Sequence, residues 1–327
     1  MKKIAITTGI LLMLAIILFF IFAADVADKG ANRVIGTRAT ASSHARALHR
    51  QLTIVDTHSD SLLWQRNFLD RHDFGHMDLP RLQGGNVAVQ ILSSVSQSPR
   101  GQNYQSNPPT DILWLLSIGQ MQPARTWFSP LQRTLFQAKK MDQAVAGSNG
   151  QLVAIRSRAD LARVLAARAA GRGTTGAVFS VEGLHNLEGD FANMARLYDA
   201  GVRMAGLVHF FDNEVGGSMH GERKGGLTPL GRRVVADMER RGIIIDIAHS
   251  SHAAVAEILA MATRPVVSSH GGVQATCREN RNLSDDEIRG VARTGGVVNI
   301  GVWDAAVCAP SRPMPHAPCG MCATWWA

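Results

Sequence analysis

Seven short apolar runs recur along the middle of the chain, at residues 52–55, 87–92, 177–181, 204–208, 243–247, 265–268 and 296–300. Most are apolar at successive positions, the pattern of parallel strands buried on both faces. Amphipathic stretches lie between them at 191–200, 230–241, 253–262 and 284–294. The last of these has Ser284 as its cap and Glu287 at the third position, and a further helix opens at Ser157 with Asp160 in the same relation. A short helix is predicted over 42–52. Strand and helix in alternation build right-handed βαβ units. The α/β pattern with seven strands predicts a (β/α)8 TIM barrel more than an open sheet. The longest interruption, 97–150, is rich in Gln, Ser, Pro and Gly and carries Trp114 and Trp127; one helix and a long surface loop are expected there.

The two ends break this pattern. Lys2 and Lys3 precede 21 residues without a charge, 4–24, long enough at ~1.5 Å per residue to cross a bilayer core of ~30 Å. A secretory signal usually has a shorter apolar core and a small-x-small cleavage site, so a membrane anchor is favoured. The two lysines should stay in the cytoplasm, which places the rest across the membrane, in a bacterial cell envelope. Residues 25–41 look like a linker. From 309 to 327 the sequence is rich in proline, ends in paired tryptophans and has no usable period, so the eighth strand of the barrel is expected to be missing.

Composition changes the picture little. The chain of 327 residues is 46% hydrophobic and 18% charged, enough for one large core and poor in the charge that disorder needs. Its net charge of +8 is spread over several helices, with no basic stripe interleaved with aromatics; this argues against nucleic acid and for a mild attraction to an anionic membrane surface. A homodimer is compatible with the sequence and not specified by it. Cys277, Cys308, Cys319 and Cys322 allow three disulfide pairings, between which the sequence does not choose. The lone CxxC at 319–322 is weak evidence for zinc or redox chemistry.

The chemistry collects at one end of the strands. The first ends in VDTHSD, with His58 and Asp60; others end in SVEGLH (Glu182), GLVHFFDN (His209), IDIAHSS (His249) and VVSSHGG (His270). In an extended segment residues two apart share a side, so His58 and Asp60 can bind one ion. Glu182 can bridge two ions, and His249 and His270 offer imidazoles to the second. Zn2+ suits such a set, and a pair of ions would acidify a water and polarise a carbonyl. A lone His-x-Asp after a strand is usually a turn, and a lone histidine beside a strand is usually a bonded core residue. Five strands carrying His, Asp or Glu at the same end make the coincidence hard to sustain. His72, His76, His185, His220 and His252 lack that placement and are taken as surface or loop residues, or as supports behind the ligands. Arg281, in CRENRNLSDDEI, lies eleven residues after His270 and just before a capped helix; an arginine there can fork a substrate carboxylate.

Together VDTHSD, HMDLPRLQGGNVAVQ, SVEGLH, LVHFFDNEVGGSMHGERKGGLTPLG, IIIDIAHSS, PVVSSHGG, RNLSDDEI and GGVVNIGVWDAAVC resemble the membrane dipeptidase (renal dipeptidase) family of zinc peptidases, bacterial branch, over roughly 42–308. The resemblance implies a (β/α)8 barrel with two zinc ions. His58 and Asp60 would hold the first, Glu182 would bridge, and His249 and His270 would hold the second. His209 would contact the substrate, and Arg281 would bind the C-terminal carboxylate. The implied reaction is hydrolysis of a dipeptide, often with a D-residue second, by a bridging hydroxide. The family places a further catalytic aspartate in a Gly-x-Asp-Phe-Asp-Gly motif after its eighth strand, which is not found here; Asp304 lies after the seventh. A frameshift, premature stop or gene-model error would leave a barrel with two unpaired edges, poorly stable and weakly active. Two alternatives stand beside the dipeptidase: another metal-dependent amidohydrolase acting on cyclic amides or lactones, and an inactive zinc or peptide binder.

Overall fold

The computed structural model describes residues 1–35, 40–301 and 303–308. Eight strands form one parallel sheet: β1 (Ile54–Asp56), β2 (Val87–Val95), β3 (Leu152–Ala154), β4 (Thr175–Glu182), β5 (Val202–Gly206), β6 (Ile244–Asp246), β7 (Val267–Ser268) and β8 (Val297–Val298). The helices are α1 (Lys2–Ala31), α2 (Ser43–Gln51), α3 (Leu79–Gly84), α4 (Leu113–Gly119), α5 (Pro130–Gly147), α6 (Arg158–Ala169), α7 (Asn193–Asp199), α8 (Pro229–Arg241), α9 (His252–Met261), α10 (Asp285–Arg293) and α11 (Asp304–Val307).

Neighbouring strands follow the path β1-β2-β4-β5-β6-β7-β8. β4 is long enough to take β3 beside Thr175–Ala177 and β5 beside Phe179–Glu182, while β2 runs along it from Gly176. The path is curled into most of a barrel. Thr57 Oγ1, just past β1, donates to the carbonyl of Ser269, just past β7, at 2.7 Å. Among the described residues no pairing joins β8 to β1, and Val55 and Val297, on these two strands, are 49% and 55% exposed.

Local chemistry sets the helix boundaries. Ser157, Thr228, Ser251 and Ser284 each accept the backbone N–H of the third residue of their helix, and Ser284 with Glu287 closes a full capping box. α8 starts on Pro229 and stops at Gly242, whose φ of 73° turns the chain straight into β6. The core lies between sheet and helices: Met141, Val234, Met238 and Ile258 pack with Phe179 and Ile245.

Three expectations need correction. β3 lies where no strand was expected; its three residues are too short to show a period. The 97–150 interruption holds two helices, α4 and α5, and α5 buries Leu131, Arg133 and Met141 against the domain. Arg133 lies inside because it donates to the carbonyls of Ser96, Thr126 and Trp127 and pairs with Asp111. The linker does not begin at 25: α1 continues to Ala31, supported by the Asp25–Lys29 ion pair at 2.9 Å. Residues 36–39 and 309–327, with Cys319 and Cys322, lie outside the described residues. The structure joins Cys277 to Cys308, Cα atoms 5.2 Å apart.

Candidate metal centre

The expected ligands His58, Glu182, His249 and His270, and the expected substrate contact His209, sit just beyond, or at, the C-terminal end of their strands. Glu182 is the last residue of β4, and His58, His209, His249 and His270 follow β1, β5, β6 and β7. The parallel sheet therefore brings all five to one rim, and all five are buried. Glu182 is the hub. Its Oε1 lies 2.8 Å from His249 Nε2, 3.2 Å from His270 Nε2 and 3.6 Å from His58 Nε2, and its Oε2 lies 3.2 Å from His209 Nε2. Asp60 Oδ1 is 3.3 Å from His58 Nε2. Gly183 makes room for this packing. At φ 92°, a side chain there would put its Cβ 2.5 Å from His185 Nδ1 and 3.2 Å from His209 Cβ.

Two triads share the carboxylate: His58, Glu182 and His270, and Glu182, His209 and His249, each with ligand atoms within 4.8 Å of one another. These triads cut across the grouping implied by the resemblance. The rings of His58 and His270 stack at 3.9 Å, whereas His249 lies edge-on to His209 at 4.7 Å.

The donor set fits cations. Both oxygens of Glu182 are buried and make no hydrogen bond within the protein, though four imidazoles surround them. His249 Nε2 and His270 Nε2 face each other at 3.0 Å. Buried lone pairs turned towards one another are costly unless a positive charge lies between them. The nitrogen and carboxylate donors are those that zinc prefers. Protonation follows the same logic. Burial pushes the Glu182 carboxyl up to about 8. Burial also holds His209, His249 and His270 well below the ordinary imidazole value, which leaves them neutral as ligands must be. His58 moves the other way, to about 9: burial opposes its charge, but the Glu182 and Asp60 carboxylates together outweigh it.

Asp246, at the end of β6, had no assigned role, and it orients one ligand. It accepts the backbone N–H groups of Ala248 (3.0 Å) and Ser269 (2.9 Å) and the Ser269 hydroxyl. The Ser269 oxygen, 2.8 Å from His270 Nδ1, is then left to accept that N–H, and Nε2 carries the lone pair towards Glu182. Its sequence signal was the aspartate inside IDIAH, a carboxylate at a buried strand end. His249 takes a left-handed backbone, φ 65°, and its carbonyl is held by Met219 N–H at 2.9 Å.

The other histidines divide. His185 and His220 are buried beside the centre and are not surface residues: His185 meets Ser96 Oγ at 2.9 Å, and His220 stacks on Phe210 and meets the Tyr104 carbonyl. His252 pairs with Glu287 at 2.7 Å on the periphery. Arg281 is 3% exposed, a buried cation rather than a helix-flanking surface residue. Its Nη2 donates to the His270 carbonyl at 2.9 Å and lies 3.1 Å from His249 Nε2. Among the described residues no carboxylate forms an ion pair with it. The next residue, Asn282, donates to the carbonyls of Cys277 and Ala306, so the disulfide and this bond brace the arginine's loop.

A parallel α/β barrel with a buried, carboxylate-centred set of histidines at its C-terminal rim defines a metal-site protein of the TIM-barrel class. The sequence profile described as membrane dipeptidase (peptidase family M19) matches residues 42–313, and the chain belongs to that family. It is similar to dipeptidase aclJ of Aspergillus oryzae, 26% identical over 276 residues, covering 80% of this chain and 60% of that protein. An uncharacterised dipeptidase of Schizosaccharomyces pombe is 25% identical over 281 residues, covering 80% of this chain and 62% of its own length. This chain therefore spans less than two thirds of the length of these relatives. In fold it is similar to the probable dipeptidase PvdM of Pseudomonas aeruginosa (TM-score 0.64, 23% identity, 80% of this chain and 63% of that one). It is also similar to a metallopeptidase of Rhodobacter sphaeroides, solved with a phosphinate mimic of the dipeptide L-Ala-D-Ala (TM-score 0.59, 21% identity, 76% of this chain and 73% of that one).

Proposed function

We propose that this chain is a zinc-dependent dipeptidase held by α1 at the outer face of a bacterial inner membrane. The observation that carries the reading is Glu182, whose two carboxylate oxygens lie within 3.6 Å of four imidazole nitrogens. His58, Asp60, Glu182, His249 and His270 would hold two zinc ions, with Glu182 between them. When bound, the ions supply a Lewis acid for the substrate carbonyl and a water acidified towards neutral pH.

The chain's own groups do the rest. His209 stays neutral through burial, and its ring N–H can donate to the carbonyl oxygen as negative charge develops there. Arg281, buried without a carboxylate partner among the described residues, would take the substrate's C-terminal carboxylate. A free carboxylate one residue from the scissile bond is what separates a dipeptide from a longer chain or a cyclic amide. For location, α1 is the helix, among those described, long and apolar enough to cross a membrane. The Cys277–Cys308 disulfide suits an oxidising compartment.

Two measurements test this. Zinc analysis of the full chain should find about two ions per molecule, together with hydrolysis of an L-Ala-D-Ala-type dipeptide. His209→Ala should keep the zinc and lose the turnover. Zinc without turnover in the parent chain would leave a binder and overturn the enzyme reading. Arg281→Met should raise KM for a free dipeptide by roughly tenfold to a hundredfold while leaving its C-terminal amide almost unaffected. An equal loss on both substrates would remove Arg281 from carboxylate recognition.

A further inference from the structure

The last turns of α1 do more than end a hydrophobic helix. Asp28 is 6% exposed on a helix that is otherwise open along most of its length. Its carboxylate takes Arg66 Nε at 2.9 Å and Asn32 Nδ2 at 2.7 Å. The Arg66 guanidinium lies over the Phe74 ring at 5.0 Å. One turn and more earlier, Phe19 and Ala23 rest against Gly119 of α4, where a Cβ would meet them at 3.6 and 3.8 Å. This end of the helix is thus fastened to the barrel by a buried ion pair and an apolar contact.

What it is fastened over is the centre. Ala31 and Asn32 line the same cavity as His58, Asp60 and His209. Leu63, Trp64, Leu113 and Leu116 give the rest of the wall an apolar side, and Arg66, His76 and Gln102 give it a polar one. His249, His270 and Arg281 do not line it. The cavity therefore lies on the His58–Asp60 flank of Glu182, and the buried arginine lies on the other. A dipeptide spans only ~7 Å in extended form. If its carboxylate is at Arg281 and its carbonyl is beside Glu182, its N-terminal residue has to enter this cavity.

We propose that the end of α1 forms one wall of the subsite for the substrate's N-terminal residue, and that this subsite takes an apolar side chain. The inference rests on the dipeptidase reading. It makes the anchor part of the binding site. Seven residues separate Ala24, the end of the uncharged run, from Ala31, a rise of ~10 Å. The cleft then opens close to the membrane surface.

The test uses the full zinc-loaded chain in detergent micelles, with Asn32→Cys and a membrane-impermeant thiol reagent. The parent chain gives the background of its own cysteines. A phosphinate dipeptide mimic with a leucine-like N-terminal side chain should slow labelling at position 32 by about tenfold or more, because a bound ligand of this kind loses most of its surface to the cleft. Leu165→Cys, at an exposed position on α6, should label equally with and without the mimic. Unchanged labelling at position 32 while calorimetry shows the mimic bound would overturn the wall and leave the dipeptidase reading intact. Equal protection at both positions would overturn the wall as well. A mimic that does not bind would overturn the dipeptidase reading, and the wall with it. A purified chain that mass spectrometry shows to begin after residue 32 would overturn the wall alone.

Discussion

Glu182→Gln is expected to empty the centre of metal and to lower kcat/KM for dipeptides by roughly three orders of magnitude, about 4 kcal/mol of transition-state stabilisation. Glutamine has the same shape but no charge, and one of its two ends donates. Facing His249 Nε2 at 2.8 Å and His209 Nε2 at 3.2 Å, it would give one of them an N–H and leave no anion between the two triads. The fold should survive. The Glu182 carboxyl rises from an ordinary 4.5 to about 8 through burial. For an acid shifted upward, the folded state is favoured fully below the unfolded value and loses that advantage as pH rises through the folded one. Glutamine does not titrate, so at about pH 8 the metal-free variant should melt at or above the metal-free parent. Zinc analysis, dipeptide kinetics and a metal-free melting curve check the three parts. A variant that keeps two zinc ions would remove Glu182 from the bridging position.

The rim was legible in the sequence because each ligand follows a continuous apolar run, and strand polarity in a barrel puts all such ends on one side. Glu182, His249 and His270 could be placed there without knowing their distances. Features that depend on chain-distant partners were not legible. Asp246 becomes a support only when β6 and β7 lie side by side and Ser269 is in reach. The Cys277–Cys308 pairing depends on how the segment after β8 folds back on the Arg281 loop. α1 was cut short at 25 because Asp25, Asp28 and Lys29 look like linker polarity. Their partners are Lys29 for Asp25 and, on the barrel, Arg66 for Asp28. β3 failed for another reason. A three-residue strand has no periodicity, and its place is set by the edge of β4 that β5 leaves open.

Removing zinc should cost the chain more stability than any single substitution away from the centre. Free zinc at a thousandfold over Kd stabilises the native state by about 4 kcal/mol per site, provided the unfolded chain does not bind it. For two sites in a domain of this size that is a fall of roughly 15 °C in Tm on chelation. The effect should depend on pH in a defined direction. In the metal-free centre burial holds a proton on Glu182 up to about 8, and the Glu182 and Asp60 carboxylates hold one on His58 up to about 9. Zinc must displace both protons, so binding releases them and tightens as pH rises. His209, His249 and His270 are already neutral and release none in this range. The zinc-dependent gain in Tm should therefore be larger at about pH 8 than at about pH 6, as measured by calorimetry with and without chelator. A gain independent of pH would mean that zinc binds elsewhere, with the Glu182–His58 pair untouched. The loss on chelation also reports on the sheet. β1 carries His58 and Asp60 and has no partner beyond β2 among the described residues, so the ions would tie the free end of the strand path to β4, β6 and β7. Chelation should loosen β1 first, seen as faster amide exchange at 54–60 than along β4.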